Sequence, residues 1–379
     1  MLDHFSYGVQ QLTFMQKYLV NIDHWNRTGG PIFFYAGNEG SIELFALNTH
    51  KQYYQYQSSM QALADYVELL AHVRQTYEGA EKSPVIVFGG SYGGMLAAWM
   101  RIKYPHVVQG AIAASAPVAQ FTGLTPCEKF GQVVTHTFAL QGQECVQTIR
   151  KSWDAINKMA ATAEGRAWLS DAWRLCKPLN STDDAKNLKS YLSDAVCQPM
   201  KFLKDEPKEI LLEIFEGLSV YFNYSTTATC LSYESSMPSS LDDNGWFLQS
   251  CTEMVMPMCY DGKNDFFEPQ AWNLTEFSET CVKKWDVRPE PYKMEQMYGG
   301  RNLKYASNIV FSNGLLDPWS SGGVLEDVNE SVVSVIIPEG AHHLDLRSSE
   351  RADPKSVIQA RDVHKANILK WISEYSNSV

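Results

Sequence analysis

A glycine-framed serine between an apolar run and a helical stretch restricts the fold of this chain more than any other feature. Residues 84–88 (PVIVF) predict a buried strand, residues 89–94 (GGSYGG) a tight turn, and residues 95–103 a helix. The turn fits the pattern Gly-x-Ser-x-Gly, in which the serine occupies a strained strand-to-helix turn and a Cβ at either glycine would collide with its neighbours. The sequence therefore predicts a nucleophile elbow at Ser91.

Other apolar runs alternate with helical patterns. Helices are predicted over residues 59–75 and 357–375 because apolar residues recur there with a helical period. Strands that alternate with helices favour a parallel sheet covered on both faces, so the expected fold class is α/β. Including residues 84–88, strands are predicted at residues 31–35, 84–88, 109–114, 307–312 and 332–337.

The middle of the chain has a different composition, rich in tryptophan and cysteine with mostly helical patterns, for instance over residues 149–159 and 209–221. We therefore expect an α/β core formed by residues 1–122 and 290–379, interrupted by a helical domain at residues 123–289. All eight cysteines fall in this insert: Cys127, Cys145, Cys176, Cys197, Cys230, Cys251, Cys259 and Cys281.

The cysteines and the glycosylation motifs point to the secretory route. The cysteines form no CxxC pair and have no histidine at zinc-ligand spacing, so disulfides are favoured over a metal site or eight free thiols. Residues 1–5 hold neither the basic nor the apolar region of a signal peptide, so we expect the leader to be absent from this sequence. Asn-x-Ser/Thr motifs begin at Asn26, Asn180, Asn223, Asn273 and Asn329.

The charge and hydropathy patterns exclude several classes of partner. The chain has 32 basic and 43 acidic residues, a net charge of −11, and no basic run of the kind that neutralises phosphates. No apolar stretch approaches the roughly 18 residues that span a bilayer. We therefore expect neither nucleic acid nor membrane as a partner, and the chemistry below needs no metal or cofactor.

A serine nucleophile requires an acid and a histidine, which in this type of fold follow it in the order Ser, Asp, His. Asp317 follows the strand predicted at residues 307–312, and His342 follows the strand predicted at residues 332–337. Both loops would lie at the carboxyl edge of the sheet. We expect Ser91 to attack an acyl carbonyl, His342 to take and return its proton, and Asp317 to orient the imidazole.

Three other assignments complete the site from the residues themselves. The oxyanion is expected to accept hydrogen bonds from the backbone N–H of Tyr92 and from one donor in the turn at residues 37–40, assigned to Asn38. His343 is expected to pack or hydrogen-bond at the substrate side without taking the proton. The remaining histidines, including His364, are interpreted as surface or packing residues.

Five motifs of the sequence resemble those of the prolylcarboxypeptidase and dipeptidyl peptidase II family of serine peptidases. The resemblance implies an α/β-hydrolase with a helical cap over the site, the Ser91/Asp317/His342 triad, cleavage after proline, and a lysosomal or secreted location. The motifs are GGSYGGMLAAW (89–99), KYPH (103–106), AASAP (113–117), SNGLLDPWSSGG (312–323) and EGAHHLDLR (339–347).

The resemblance also implies contacts that the residues alone do not give. It assigns the proline ring of the substrate to Met95, Met256 and Trp319, and it makes a homodimer possible. It also implies the disulfides Cys127–Cys259, Cys145–Cys197, Cys176–Cys230 and Cys251–Cys281, which spacing could not select among the 105 possible connectivities.

The function expected from the resemblance is release of the C-terminal residue from peptides that end in Pro-X, with two alternatives. A dipeptidyl peptidase II-like enzyme would cleave X-Pro dipeptides and hold the free amine with a carboxylate, for which Asp261 and Asp265 are candidates. An inactive hydrolase-fold glycoprotein is the other, because the chain is shorter than the family between residues 40 and 62, where a strand is missing, and again around residues 195–199. A lipase is less consistent with a Trp- and Cys-rich insert.

Overall fold

A computed structural model describes most of the chain, and within it two compact units separate. The first unit comprises Met1–Pro126, Ser240–Pro257 and Asn273–Val379, and the second comprises Cys127–Ser239 and Met258–Trp272. The described residues are 3–5, 13–37, 58–189, 192, 195–233 and 243–378.

The first unit is built on a parallel sheet, which confirms the predicted α/β fold class. Its five described strands follow one another in the order β1-β2-β3-β4-β5, and every pairing is parallel. All carboxyl ends therefore meet at one edge of the sheet, where loops can bring side chains together. The strands are β1 (Ile32–Tyr35), β2 (Val85–Gly90), β3 (Gly110–Ala114), β4 (Ile309–Gly314) and β5 (Val332–Ile337).

Helices in the first unit begin or end close to the sequence-based expectations. The helix predicted over residues 357–375 spans two residues more at its start and one more at its end. It begins directly after Pro354, whose backbone is extended. The helices are α1 (Ser59–Thr76), α2 (Tyr92–Lys103), α8 (Asp243–Thr252), α9 (Leu274–Trp285), α10 (Lys293–Tyr298) and α11 (Lys355–Ser376).

Apolar side chains alternate between the two faces of the central strands, as buried parallel strands require. Val85 and Val87 belong to a core that also contains residues of α1 and α2, whereas Ile86 packs on the other face in a cluster with Trp371 of α11. Gly110 allows this contact, since a Cβ there would lie 2.0 Å from the Trp371 ring. At the edge strand β1, the Phe33 side chain is 60% exposed.

The second unit is helical, with its own buried core. Trp173, Leu188 and Phe266 are fully buried in that core, and each comes from a different part of the unit. Disulfides add covalent constraints between distant segments of it. Its helices are α3 (Lys129–Ala139), α4 (Gln143–Ala160), α5 (Ala163–Ala172), α6 (Thr182–Lys189) and α7 (Pro207–Phe222).

The four disulfides implied by the family resemblance are confirmed, but they divide between the units. Cys251–Cys281 joins α8 to α9 within the first unit, and the other three lie in the second. The second unit is thus narrower than the insert expected at residues 123–289, because Ser240–Pro257 and the chain from Asn273 onward contact the sheet unit, where Met254 is part of the core. Among the described helices, none combines the length and apolar character of a bilayer-spanning segment.

Candidate active site

The turn between β2 and α2 holds Ser91 in a strained conformation. Ser91 has φ 60° and ψ −128°, a region that residues with a side chain rarely occupy. Its N–H donates to the Ala114 carbonyl at 3.0 Å, and its carbonyl accepts from the Met95 N–H at 3.1 Å. A Cβ at Gly89 would lie 1.9 Å from the Gly93 carbonyl oxygen, so this turn requires glycine there. The sequence around Ser91 therefore forms the predicted strand–turn–helix.

Ser91 precedes the first residue of α2, and this placement gives the neighbouring backbone a function. The first N–H groups of a helix have no intrahelical acceptor, so the Tyr92 N–H is available to an external oxygen. The positive end of the helix dipole also favours negative charge at this position. The other expected oxyanion donor, Asn38, lies outside the described residues.

The acid and the histidine of the predicted triad are hydrogen-bonded to each other. His342 Nδ1 lies 2.8 Å from Asp317 Oδ2, and Asp317 Oδ1 accepts from the Trp319 N–H at 3.1 Å. The Asp317 side chain is fully buried, whereas 32% of the His342 side chain is exposed. A buried carboxylate at Nδ1 leaves Nε2 of the imidazole free to exchange a proton at the exposed side.

The loops that carry Asp317 and His342 are joined by their backbones. The Leu316 N–H donates to the Gly340 carbonyl at 3.1 Å, directly beside both residues. A Cβ at Gly314 would lie 2.2 Å from the same carbonyl oxygen, so the close approach depends on glycine. Two loops from adjacent strands are thereby fixed relative to each other, as the acid–histidine contact requires.

His343 lies close to both the elbow and the His342 ring. A Cβ on Gly90 would come 2.9 Å from the His343 ring, and the rings of His342 and His343 have centroids 4.5 Å apart. Its backbone N–H donates to Ser115 Oγ at 2.8 Å. Burial, and then the neighbouring His342, lower the pKa of His343, so its ring stays neutral at pH values where a free imidazole is protonated. This contact with Gly90 places the histidine loop beside the turn that holds Ser91.

A second carboxylate anchors the histidine loop from behind, and the sequence did not single it out. Asp345 Oδ2 accepts from Ser312 Oγ at 2.7 Å and lies 2.7 Å from Nε2 of His364 on α11. Both Asp345 and His364 are buried. His364 therefore packs in the core, and it also contacts Asp345, which lies three residues beyond His342 in the chain.

The three residues expected at the proline ring differ in exposure. Met95 is fully buried in the core beneath the elbow, while Met256 is only partly buried against the same core. Trp319 is half-buried and its backbone N–H is held by Asp317. Met256 and Trp319 thus keep some exposed apolar surface, whereas Met95 has none.

Asp261 and Asp265, the candidates for binding a substrate amine, are occupied by their own loop. Asp265 is fully buried and accepts from the N–H groups of Asp261, Gly262 and Phe267. Asp261 accepts from the N–H groups of Lys263 and Asn264 and from the Asn264 side chain, and these bonds lower its pKa to about 2. Both carboxylates close a turn in the second unit.

A parallel sheet with a strained serine turn after β2, and an acid–histidine pair on the loops after β4 and β5, defines an α/β-hydrolase. The match to known sequences makes this more specific. The family model described as serine carboxypeptidase S28 matches residues 1–57, 46–210 and 194–364, and the chain belongs to this family.

Several relatives are similar over nearly their whole length. Lysosomal Pro-X carboxypeptidase of Homo sapiens is 42% identical over 437 aligned positions, which cover 100% of this chain and 88% of the relative. The protein of the same name from Bos taurus is 41% identical over 434 positions, covering 99% and 87%. Prolyl carboxy peptidase like protein 5 of Caenorhabditis elegans is 36% identical over 452 positions, covering 98% and 89%.

These alignments contain gaps, since a chain of 379 residues is spread over 437 positions. The family match is divided around residues 46–57 and 194–210. The two divisions fall at the places where the sequence predicts shortening, between residues 40 and 62 and around residues 195–199. The residues of the first place mostly lie outside the described part of the chain, whereas the serine, acid and histidine segments are all described.

Proposed function

We propose that this chain is a serine carboxypeptidase that releases the C-terminal residue from peptides ending in Pro-X, with Ser91, Asp317 and His342 as its catalytic triad. The single observation that carries the proposal is the buried Asp317–His342 hydrogen bond on the same sheet edge as the strained Ser91 turn. Family membership and the names of the mammalian relatives support the substrate class.

In the proposed reaction, His342 Nε2 takes the proton of Ser91 Oγ as the oxygen attacks the carbonyl carbon of the proline residue. The negative oxygen of the tetrahedral intermediate accepts a hydrogen bond from the Tyr92 N–H. His342 then gives the proton to the leaving amine, and water hydrolyses the acyl-enzyme by the same route. Asp317 holds the imidazole tautomer and stabilises the imidazolium throughout.

The proline ring of the substrate is assigned to the partly exposed side chains of Met256 and Trp319 and to the buried Met95. Peptide substrates with a penultimate proline are therefore the proposed partners. A lysosomal or secreted location is supported by the names of the relatives and by the four disulfides. A homodimer stays a prediction.

The test compares two blocked peptides at acidic pH. An N-blocked peptide ending in Ala-Pro-Phe should release phenylalanine, and the same peptide with a C-terminal amide should be cleaved far more slowly. Release of the N-terminal Ala-Pro dipeptide from an unblocked peptide, with no release of phenylalanine from the N-blocked peptide, would instead support a dipeptidyl peptidase II-like activity.

A further inference from the structure

A cluster of buried polar side chains adjoins the elbow, and these side chains have no role in the reaction described above. It consists of Ser59, Tyr92, Gln249, Glu253 and Tyr298, called here the elbow cluster, and all five belong to the first unit. Glu253 is the acidic residue among the five, and only 1% of it is exposed. A carboxyl group so far from water needs hydrogen-bond partners, and an unpaired one would destabilise the fold.

Those partners form a chain that ends on the ring of Tyr92. Gln249 Nε2 donates to Glu253 Oε1 at 3.0 Å and also to the Tyr92 hydroxyl oxygen. One amide group therefore joins the carboxyl of Glu253 to the residue whose backbone N–H faces the oxyanion. Because Tyr92 directly follows Ser91, a shift of the Tyr92 ring would also move the backbone at Ser91.

The other side of Glu253 is held by α1 and α10. The Ser59 N–H, at the start of α1, donates to Oε1 at 2.6 Å, and Ser59 Oγ lies 3.2 Å from Oε2. The Tyr298 hydroxyl donates to Ser59 Oγ at 2.9 Å. Glu253 is thus fixed from two helices while it holds Gln249, so the network has the rigidity that a positioning role demands.

The aromatic contacts of the Tyr92 ring restrain its orientation less than a hydrogen bond would. Its neighbours are Trp246 and Trp99, with ring centroids 5.3 Å and 6.5 Å away in edge-on contacts. Such contacts are apolar and weakly directional in comparison with a hydrogen bond. The Gln249 amide supplies the directional contact at the hydroxyl end of the ring.

We propose that Glu253 is a positioning residue for acyl transfer: through Gln249 it holds Tyr92, and so keeps the Tyr92 N–H where the oxyanion forms. The inference rests on the proposed roles of Ser91 and Tyr92. Since misplacement by about 1 Å at a reacting centre costs on the order of 100-fold in rate, loss of this support should appear in kcat.

The charge of Glu253 adds a pH readout. Burial raises its pKa, and the hydrogen bonds from Gln249 and Ser59 and the charge of Lys293 offset only part of that effect. The other titratable groups are the hydroxyls of Tyr92 and Tyr298 within the cluster and that of Tyr66 beside it. Burial raises the pKa values of all three above their usual range. Glu253 is therefore the group of the cluster that changes charge first as the pH rises from acid.

A double-mutant cycle on the full chain tests the proposal. Glu253→Ala and Tyr92→Phe each break the connection, and Tyr92→Phe retains the ring and the backbone N–H. We expect each variant to lower kcat by about tenfold or more with KM changed less than about threefold, and the double variant to be no worse than either single one. A Glu253→Ala variant within about twofold of the parent kcat, or losses that multiply in the double variant, would overturn the proposal.

A second variant keeps the test valid if Glu253→Ala does not fold. Glu253→Gln is neutral at every pH and retains two hydrogen-bonding groups. The Glu253 carboxyl is the acceptor in each of its hydrogen bonds described above, so ionisation strengthens its hold on Gln249. The variant should therefore match the parent kcat at acidic pH, where the parent carboxyl is also neutral, and fall below the parent at higher pH, where only the parent gains the carboxylate. A kcat–pH profile identical to that of the parent would contradict the proposal. Glu213→Gln in the second unit is the control, because burial also raises the pKa of Glu213, which lies outside the elbow cluster.

The rate of phosphonylation by a fluorophosphonate separates this inference from the proposed substrate. That reaction needs the Ser91 nucleophile and the oxyanion donor but no Pro-X peptide. If the parent reacts with the probe and cleaves no Pro-X peptide, the substrate assignment fails while the cycle can still be read from the labelling rates, which should fall by about tenfold in Glu253→Ala. Labelling rates equal to those of the parent would overturn the positioning role.

Discussion

The sheet unit and the disulfide-bearing unit are stabilised in different ways. In the first, five parallel strands bury apolar side chains on both faces, and the strand ends bring the Ser91 turn and the Asp317–His342 pair to one edge. In the second, the described residues form helices around their own core, and three disulfides close loops with separations of 52, 54 and 132 residues. The candidate site residues, which need precise positions, thus follow hydrogen-bonded strands of the first unit. Three of the four disulfides lie in the second unit.

The largest effect should come from Ser91→Ala in the sheet unit. Loss of the nucleophile is expected to lower kcat for the N-blocked Pro-X peptide by on the order of 10⁶, as in other serine peptidases, without changing the thermal unfolding midpoint. Ser373→Ala, at an exposed serine of α11, is the control and should keep full activity. Residual cleavage by Ser91→Ala within about 100-fold of the parent would show that another residue attacks the peptide.

Asp317→Asn should give the next largest loss. The amide cannot accept the Nδ1–H of His342 in the same way, so the imidazole takes the wrong tautomer and kcat falls by about 10⁴. KM should change little, because Asp317 is buried and lies behind the histidine. Steady-state kinetics provide the measurement, and a change confined to KM would mean that Asp317 binds substrate instead.

Removal of one disulfide from each unit sharpens the comparison between them. In the chain-entropy treatment, Cys145→Ser/Cys197→Ser opens a long loop and should lower the unfolding free energy of the second unit by about 4 kcal/mol. Fluorophosphonate labelling of Ser91 should survive at temperatures below that unfolding. The matched control, Cys251→Ser/Cys281→Ser, opens the disulfide of the first unit and should lower the temperature at which labelling is lost. The reverse pattern would break the comparison.

A smaller, pH-dependent effect is expected at Asp345. Burial would raise the pKa of its carboxyl, but the contacts with His364 and Ser312 outweigh burial and hold the pKa below 3.8. A depressed pKa contributes stability above the unfolded value that is lost as the pH falls through the folded value. Asp345→Asn should therefore lower the free energy of unfolding by about 1–3 kcal/mol near neutral pH, and by progressively less below about pH 4. Denaturant titrations across that range would measure it, and a difference that grows in acid would contradict it.

The smallest effect concerns the glycans. Asn180 is exposed in the second unit. In the sheet unit, the Nδ2 amide of Asn329 donates hydrogen bonds to the carbonyls of Lys304 and Ala306 at 3.3 and 3.2 Å. The glycan is attached at that nitrogen, so we expect modification at Asn180 and little at Asn329. Enzymatic deglycosylation in heavy-oxygen water with peptide mass spectrometry reads both sites. Full occupancy at Asn329 would show that its hydrogen bonds form only after, or without, the glycan.

The sheet was predictable because its signals are local. Apolar runs of five or six residues, each followed by glycine or polar residues, placed the strands within about two residues of their observed bounds, and residues 332–337 were predicted without error. The serine turn was predictable for the same reason, since the glycines of residues 89–94 are needed where the backbone approaches its neighbours.

The elbow cluster and the Asp345–His364 pair were not predictable, because their members are far apart in the chain. Ser59 and Glu253 are 194 residues apart, and a buried glutamate in a mixed sequence has no local pattern that separates it from an exposed one. The disulfide pairing also required the family resemblance. The second unit is narrower than the insert expected at residues 123–289, since Trp and Cys continue through α8 and α9, which belong to the sheet unit.

The most direct test of the central claim is to identify the residue that reacts with a fluorophosphonate. The folded protein should gain one adduct by intact mass, and peptide mapping should place it on Ser91. His342→Ala should slow the labelling by several orders of magnitude, because the general base is lost. A folded protein that takes up no adduct, or one labelled at another residue, would contradict the account of Ser91 as a nucleophile activated by the Asp317–His342 pair.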